Sequence, residues 1–364
     1  MPWENRRIDL FIPIIVALLM IIGLFAIYSA TRDYGVTFVR KQIAWDILSM
    51  TALFLTMLLR ERDLQRLAWV LYVICLVALV LVLFFGTVSG GARRWFDLRV
   101  GYFQPSELAK MCVVLVSAVL LIKASMKHMI FSLMALGTMV LLVAVEPDLG
   151  TAVLLTVLWL VMAFCSKIPL KVVITVLIIF VAFVPLLYFF GLKDYQKERI
   201  ISFLSPSMYR QSSSYNVTQS LHTIGSGGLL GRGYLKGLST TWGYVPKNHT
   251  DFILSVIGEE FGFLGVSLCV ILYAMLTFRI ANAIRLAKNE FWQLIDIGVM
   301  TVFVLQIFVN MGMAMGLTPV TGVPLPFISY GGSSTLFFCI QLGLVEKSYA
   351  VGKAGREMEG GQLW

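Results

Sequence analysis

The chain has 364 residues, 59% of them hydrophobic and 13% charged, with a mean hydropathy of +0.86 and a formal net charge of +9. These values lie far outside those of a water-soluble globular domain and place the chain among integral membrane proteins. Five cysteines, with no CxxC pair, and three scattered histidines exclude a disulfide framework or a zinc site as the organising feature.

Apolar stretches long enough to cross a bilayer as helices run over 9–30, 40–59, 67–86, 107–123, 128–145, 149–166, 170–190, 251–280, 291–316 and 330–350. The expected fold is therefore an all-α polytopic membrane protein of about ten transmembrane helices, read as one domain over 1–364 with no internal repeat. The first stretch follows "ENRR" and exceeds a signal-peptide core, so a retained anchor is expected. Cys75, Cys112, Cys165, Cys269 and Cys339 fall inside these stretches and read as small buried apolar residues.

An even number of spans puts both termini on one side. Fifteen Lys and Arg residues flank the spans on that side, against six in the short loops opposite. The positive-inside rule makes the termini cytoplasmic. A large extracytoplasmic loop at 191–250, between the seventh and eighth spans, adds seven more basic residues outside. An outer face this basic suits anionic lipid headgroups or a substrate that carries phosphate. Within this loop "YQKERIISFLSPSMYR" (195–210) mixes apolar and charged residues in the manner of a short interfacial helix. "IGSGGLLGRG" (224–233) lacks the GK[ST] ending of a phosphate-binding loop and reads as a flexible hinge.

Polar motifs interrupt the apolar pattern at "GARRWFDLRVGYFQPSELAK" (91–110), "EPDLGTA" (146–152), "NHTDFILSVIGEEFG" (248–262) and "GLTPVTGVPLPFISYGGSS" (316–334). Threading the spans from a cytoplasmic start brings these motifs to outer ends, where they frame one outward-facing site. Asp251 stands at the mouth of its span, while Glu259 and Glu260 lie about 12–13 Å deeper at the helical rise. The spacing assigns Asp251 to chemistry and the two glutamates to pairing with polar groups on neighbouring helices. Glu107 and Lys110, three residues apart, form either an ion pair or a reach toward phosphate. Outside the cytoplasmic membrane nucleotide-activated donors are absent, so a transfer reaction there needs a donor already attached to lipid. Asp251 would act as base on an acceptor hydroxyl while Arg94 and Lys110 offset charge on a pyrophosphate leaving group.

The order "RRW", "QPSELAK", "EPDLGTA", "HTDFILSVIGEEFG", "PLPFISYGGSS" resembles the SEDS family of polytopic peptidoglycan glycosyltransferases over nearly the whole chain. "EPDLGT" and "TPVTGVPLPF" look more like its elongation branch than its division branch. The resemblance implies polymerisation of lipid II into a nascent glycan strand on the outer face of the bacterial cytoplasmic membrane. It also implies a class B penicillin-binding protein, a single-span transpeptidase, as partner. It carries the essential acid onto Asp251 and substrate binding onto Arg94, Trp95, Glu107 and Lys110, with His249, Thr250, Ser329 and Tyr330 placed beside them. One departure stands out: the family usually has Pro-Glu ahead of "HTDF", and here Lys247 replaces the acid. Membrane lipids are expected partners and nucleic acid is not. No cofactor is certain; a divalent cation, Mg or Mn, held by carboxylates and phosphates would leave no sequence signature. The competing expectations are a flippase for lipid-linked precursors, with Glu259, Glu260 and Asp296 as coupling groups, and a noncatalytic cell-wall scaffold.

Overall fold

The structure, a computed structural model, describes residues 10–89, 92–98, 101–192, 194–205 and 213–360. Arg6, Arg7, Arg99, Lys193 and Arg210, which enter the charge balance, and residues 206–210 of the expected interfacial helix lie outside them.

Seven long helices open the chain: α1 (Phe11–Ala30), α2 (Thr37–Thr56), α3 (Glu61–Phe85), α4 (Pro105–Leu121), α5 (Met126–Val145), α6 (Leu149–Phe164) and α7 (Leu170–Leu186). Three shorter ones follow, α8 (Asp194–Leu204), α9 (Ser213–Ser226) and α10 (Leu238–Thr241). The long helices α11 (Ile253–Leu286), α12 (Glu290–Ala314) and α13 (Gly332–Gly360) complete the bundle. Each expected span thus has its helix. Five of them, α1, α3, α5, α11 and α12, satisfy a membrane crossing on length and apolar composition alone.

Local chemistry sets the boundaries. Pro105 occupies the first turn of α4, where its missing N–H costs no hydrogen bond. Asp148 caps α6 by accepting from the Thr151 amide at 3.3 Å, and Asn289 caps α12 by accepting from the Trp292 amide at 3.2 Å. Pro185 disrupts the end of α7, and a π-helical turn follows at Leu187–Gly191.

Helix α4 is the central post, buried along nearly its whole length against α3, α5, α6, α12 and α13. Its outward counterparts carry exposed apolar residues such as Phe84, Phe85, Ile178 and Ile179, the face that lipid tails cover. A finding the apolar pattern did not announce is a small antiparallel sheet between α3 and α4, in the order β1 (Thr87–Ser89), β2 (Ala92–Asp97), β3 (Tyr102–Phe103). Thr87 pairs with Trp95, and Phe96 pairs with Phe103. Alternation along β2 leaves Arg93 exposed and Arg94 turned inward. Of the cysteines, Cys165 departs from expectation: it sits exposed just past the end of α6.

Candidate active site

Asp251 lies two residues ahead of α11, in a turn closed on the carbonyl of Lys247, which accepts from the Thr250 amide at 3.1 Å and the Phe252 amide at 3.3 Å. The turn holds Lys247 in the left-handed region at φ 55°. Its Nζ reaches 3.9 Å from Asp251 Oδ2, and the Asp251 side chain is 13% exposed. Burial raises the Asp251 carboxyl above the ordinary aspartate range, opposed by the charges of Lys247 and Arg199, the Thr250 hydroxyl and the charge of Arg94. Burial and the same Lys247 hold the His249 imidazole below its usual value.

The segment after α12 fixes this turn from the other side. Ser329 Oγ donates to the Thr250 carbonyl at 2.6 Å, and the Tyr330 amide donates to the His249 carbonyl at 3.0 Å. Rings of Phe38, His249 and Tyr330 pack edge on or tilted, with centroids 5.2–6.1 Å apart. Gly322 adopts φ 79°, and a Cβ there would stand 3.7 Å from Asp251 Oδ2. The backbone at 322 therefore forms one wall of the space around the carboxylate.

Two amides on one face of α12 tie these pieces together, and sequence reading passed them over. Asn310 Nδ2 donates to the carbonyls of Asp251 at 3.0 Å and Val323 at 2.8 Å. One turn earlier, Gln306 Nε2 donates to the Pro324 carbonyl at 3.0 Å while its Oε1 accepts from Lys110 Nζ at 2.6 Å. The available signal was a pair of amides four residues apart in an otherwise apolar helix, "LQIFVNMGM".

Lys110 also donates to Glu107 at 2.7 Å and stands over the Phe338 ring, with 2% of its side chain exposed. Both members of the "SELAK" pair are thus interior parts of the bundle, joined to the loop behind Asp251 through Gln306. Arg94 is committed in a similar way. Its guanidinium donates to the carbonyls of Glu146, at 3.0 Å, and Pro147, and lies 3.9 Å from Asp148. Trp95 is half-buried beside it on β2. Asp148 in turn accepts from Gln104, Ser106 and the Thr151 hydroxyl. Glu146 is fully buried; burial and the neighbouring Asp148 push its carboxyl up to about 9 against the pull of Arg94.

The deeper glutamates are absorbed by structure. α11 breaks at Gly262 (φ 64°, ψ −158°), which removes helical partners from nearby backbone groups. The segment 228–233 supplies replacements. The amides of Arg232 and Gly233 donate to the carbonyls of Glu259 and Glu260 at 2.9 and 3.0 Å, and those of Phe263 and Leu264 donate to the carbonyls of Gly228 and Leu229. The Glu259 carboxylate accepts from the amides of Ser239 and Thr240 and from the Thr240 hydroxyl, while Glu260 accepts from Ser29 on α1. A Cβ on Gly227 or Gly231 would overlap the backbone of α11. The glycine cluster is therefore a packed strap and not the flexible hinge its composition implied. Glu259 is paired with the loop between α7 and α11 and not with a neighbouring spanning helix. Asp296, the third group required by a transporter reading, accepts from Ser348 at 2.6 Å within the interior.

Arg199 on α8 is the other group that sequence reading left among general loop charge. It donates to the Val320 carbonyl at 3.4 Å, and its charge acts on Asp251. Lys247 stands 3.9 Å from the Asp251 carboxylate, the charges of Arg199 and Arg94 act on it, and the backbone at Gly322 walls it, with His249, Thr250 and Ser329 in or against the same turn. Such a site can take a proton and can attract an anion.

Residues 9–351 match the model of a family described as cell cycle protein, FtsW/RodA/SpoVE. Over 348 residues the chain is 34% identical to the peptidoglycan glycosyltransferase MrdB of Escherichia coli K12, covering 94% of each protein. Its fold matches a chain from a peptidoglycan synthase complex that coordinates polymerization and crosslinking, with a TM-score of 0.81, 30% identity and coverage of 96% and 99%. It also matches the crystal structure of the rod shape determining protein RodA of Thermus thermophilus, with a TM-score of 0.71, 29% identity and coverage of 96% and 98%.

Proposed function

The chain belongs to the FtsW/RodA/SpoVE family of cell cycle proteins, and from that footing we propose that it is a RodA-like peptidoglycan glycosyltransferase of the inner membrane with Asp251 as its general base. The observation that carries the assignment of the base is the placement of Asp251: a carboxylate just ahead of α11, with the Lys247 ammonium 3.9 Å away and the backbone at Gly322 as its wall.

The reaction this arrangement supports is glycosyl transfer between lipid-linked saccharides. The GlcNAc 4-hydroxyl of lipid II attacks the anomeric carbon of the donor glycan, its proton passes to Asp251, and the bond from that carbon to the diphosphate breaks. The lipid diphosphate leaves with the bonding electrons, and cations near Asp251 offset its charge. Among the described residues no three acidic, histidine or cysteine side chains converge as a metal-holding group. A divalent cation, Mg or Mn, would have to draw most of its oxygen ligands from the substrate phosphates and would supply positive charge there.

Both termini are cytoplasmic and the site faces outward in this reading, which the excess of basic residues on the terminal side supports. A class B penicillin-binding protein is the partner that would crosslink the product. Ser239 and Thr240 hold the Glu259 carboxylate and Ser29 holds that of Glu260, which supports a structural role for both over ion coupling. The test is polymerisation of lipid II by purified protein. Asp251→Asn should retain folding and abolish glycan synthesis; substantial polymer from that variant would remove Asp251 from the role of base.

A further inference from the structure

Arg94 and Lys110 were the cations that sequence reading offered for the substrate diphosphate, and both hold partners within the fold, as Arg199 also does. Lys110 is enclosed with Glu107 and Gln306. Arg94 holds the carbonyls after α5. The charge that faces Asp251 from the loop side comes from two other residues. Lys247 has 57% of its side chain exposed, with its ammonium 3.9 Å from the carboxylate. Arg199 borders a cavity of about 130 Å³ between α8, α9 and the segment 316–320, whose polar lining includes Ser202, Thr218 and Thr318. Arg199 and Asp251 are linked through one stretch of backbone, since Arg199 donates to Val320 and Gly322 walls Asp251.

Lys247 carries a second mark. A lysine at φ 55° is held in a strained conformation that glycine adopts freely. The turn keeps it there through the two amide hydrogen bonds to its carbonyl. The side chain so placed is an exposed point charge beside the carboxylate.

We propose that Lys247 and Arg199 are the diphosphate-binding pair of this site: Lys247 as an adjustable point charge at the entrance and Arg199 as the planar donor at the α8 side. The proposal rests on the reading of Asp251 as the catalytic centre, and it names the groups that hold the anionic leaving group beside it. The ligand class is a lipid diphosphate ester. The same chemistry in anionic phospholipid headgroups is the competing source of attraction.

The experiment measures binding of fluorescent lipid II to the full-length protein in nanodiscs, on the Asp251→Asn background, so that no turnover is needed. Lys247→Gly removes the ammonium and relaxes the backbone; Arg199→Gln removes the charge, and Arg199→Lys keeps it without the planar fork. Lys247→Gly and Arg199→Gln should each weaken binding about tenfold, the loss of one charged hydrogen bond. Arg199→Lys should fall between. The losses should be equal in neutral phosphatidylcholine and in phosphatidylglycerol nanodiscs. In the catalytically intact protein kcat/KM for lipid II should fall by at least the same factor when each variant is assayed on the plateau of its own pH profile, since the pair holds the diphosphate both before and as it leaves.

Unaltered affinity in Lys247→Gly overturns the proposal even if Arg199→Gln fails to fold, because the glycine is compatible with the turn. A loss confined to phosphatidylglycerol nanodiscs also overturns it, and assigns the pair to the membrane surface. Polymerisation by Asp251→Asn would overturn the general-base reading while leaving a measured binding loss in place, so the two failures are distinguishable.

Discussion

The side-chain amide of Asn310, near the end of α12, donates to the backbone carbonyl of Asp251 at 3.0 Å. Through its second bond, to Val323, the same amide joins the turn that presents the acid to the segment that walls it. Asn310→Leu keeps the size of the side chain and removes both donors, leaving two carbonyls without this partner. It should cost about 1–3 kcal/mol of stability. Displacement of the carboxylate should lower kcat by about 100-fold with a smaller change in KM. Turnover of lipid II at saturation, alongside thermal unfolding in detergent, checks both; wild-type kcat would release Asp251 from dependence on this bond.

The acid limb of the pH–rate profile follows from the same site. Burial raises the Asp251 carboxyl, so the ionised base disappears, as pH falls, at a higher pH than an ordinary aspartate would require. Lys247 is the foremost charge opposing that rise, with Arg199 and Arg94 behind it. Lys247→Met should therefore move the acid limb upward, and Lys247→Glu should move it further. For stability the sign is the reverse of that for a salt-bridged aspartate. A raised folded value favours the protonated form, so ionisation at working pH costs stability. Asp251→Asn should be at least as stable as wild type while inactive, which calorimetry and the polymerisation assay test together.

Glu146 offers a pH test away from the base. Its carboxyl, pushed up to about 9, is protonated at neutral pH, and Arg94 approaches the carbonyl of this residue instead of closing on its side chain. A folded value above the unfolded one contributes stability at low pH that is lost as pH rises toward about 9. Glu146→Gln, neutral throughout, should match wild type only below the ordinary glutamate value of 4.5 and hold its melting temperature better as pH rises from there toward about 9. An identical alkaline decline in both proteins would show that Glu146 does not titrate there.

The strap over α11 makes opposite forecasts for glycines that look alike in sequence. Gly262 and Gly231 both need positive φ and touch backbone, so alanine at either should cost on the order of 1–3 kcal/mol and weaken the pairing of 228–233 with the helix break. Gly225, at the end of α9, has open space and no positive φ; Gly225→Ala should be neutral or stabilise by roughly 0.5–1 kcal/mol. Thermal unfolding of the three variants decides, and equal, small effects would restore the view of this stretch as a hinge.

A last prediction concerns the partner. Because the turn at 247–251 is held by loop contacts, a protein that grips the outer face can complete the site by fixing those contacts. Polymer yield should rise when the cognate single-span transpeptidase is added, and the rise should survive blocking of the transpeptidase serine. Equal yields at saturating lipid II would leave the partner as a downstream enzyme only.

Ten apolar runs long enough for a bilayer already determine ten helices, because backbone amides in lipid have no partner other than the helix itself. The convergence of "RRW", "SELAK", "EPD", "HTDF" and "SYGG" at one end of the bundle followed from counting those runs, and the Glu107–Lys110 ion pair was one of two readings that their i,i+3 spacing left open. What only the tertiary structure decided is which partners each cation takes and how close it stands to the acid. Arg94, Lys110, Arg199 and Lys247 are all basic residues near outer ends, and their roles differ through partners such as Gln306, Val320 and the Glu146 carbonyl, in distant parts of the chain. The glycine strap shows the same limit in another form: lacking a Cβ gives a residue both backbone freedom and the ability to pack directly on backbone, and only the packed neighbour at Glu259 and Glu260 selects between them.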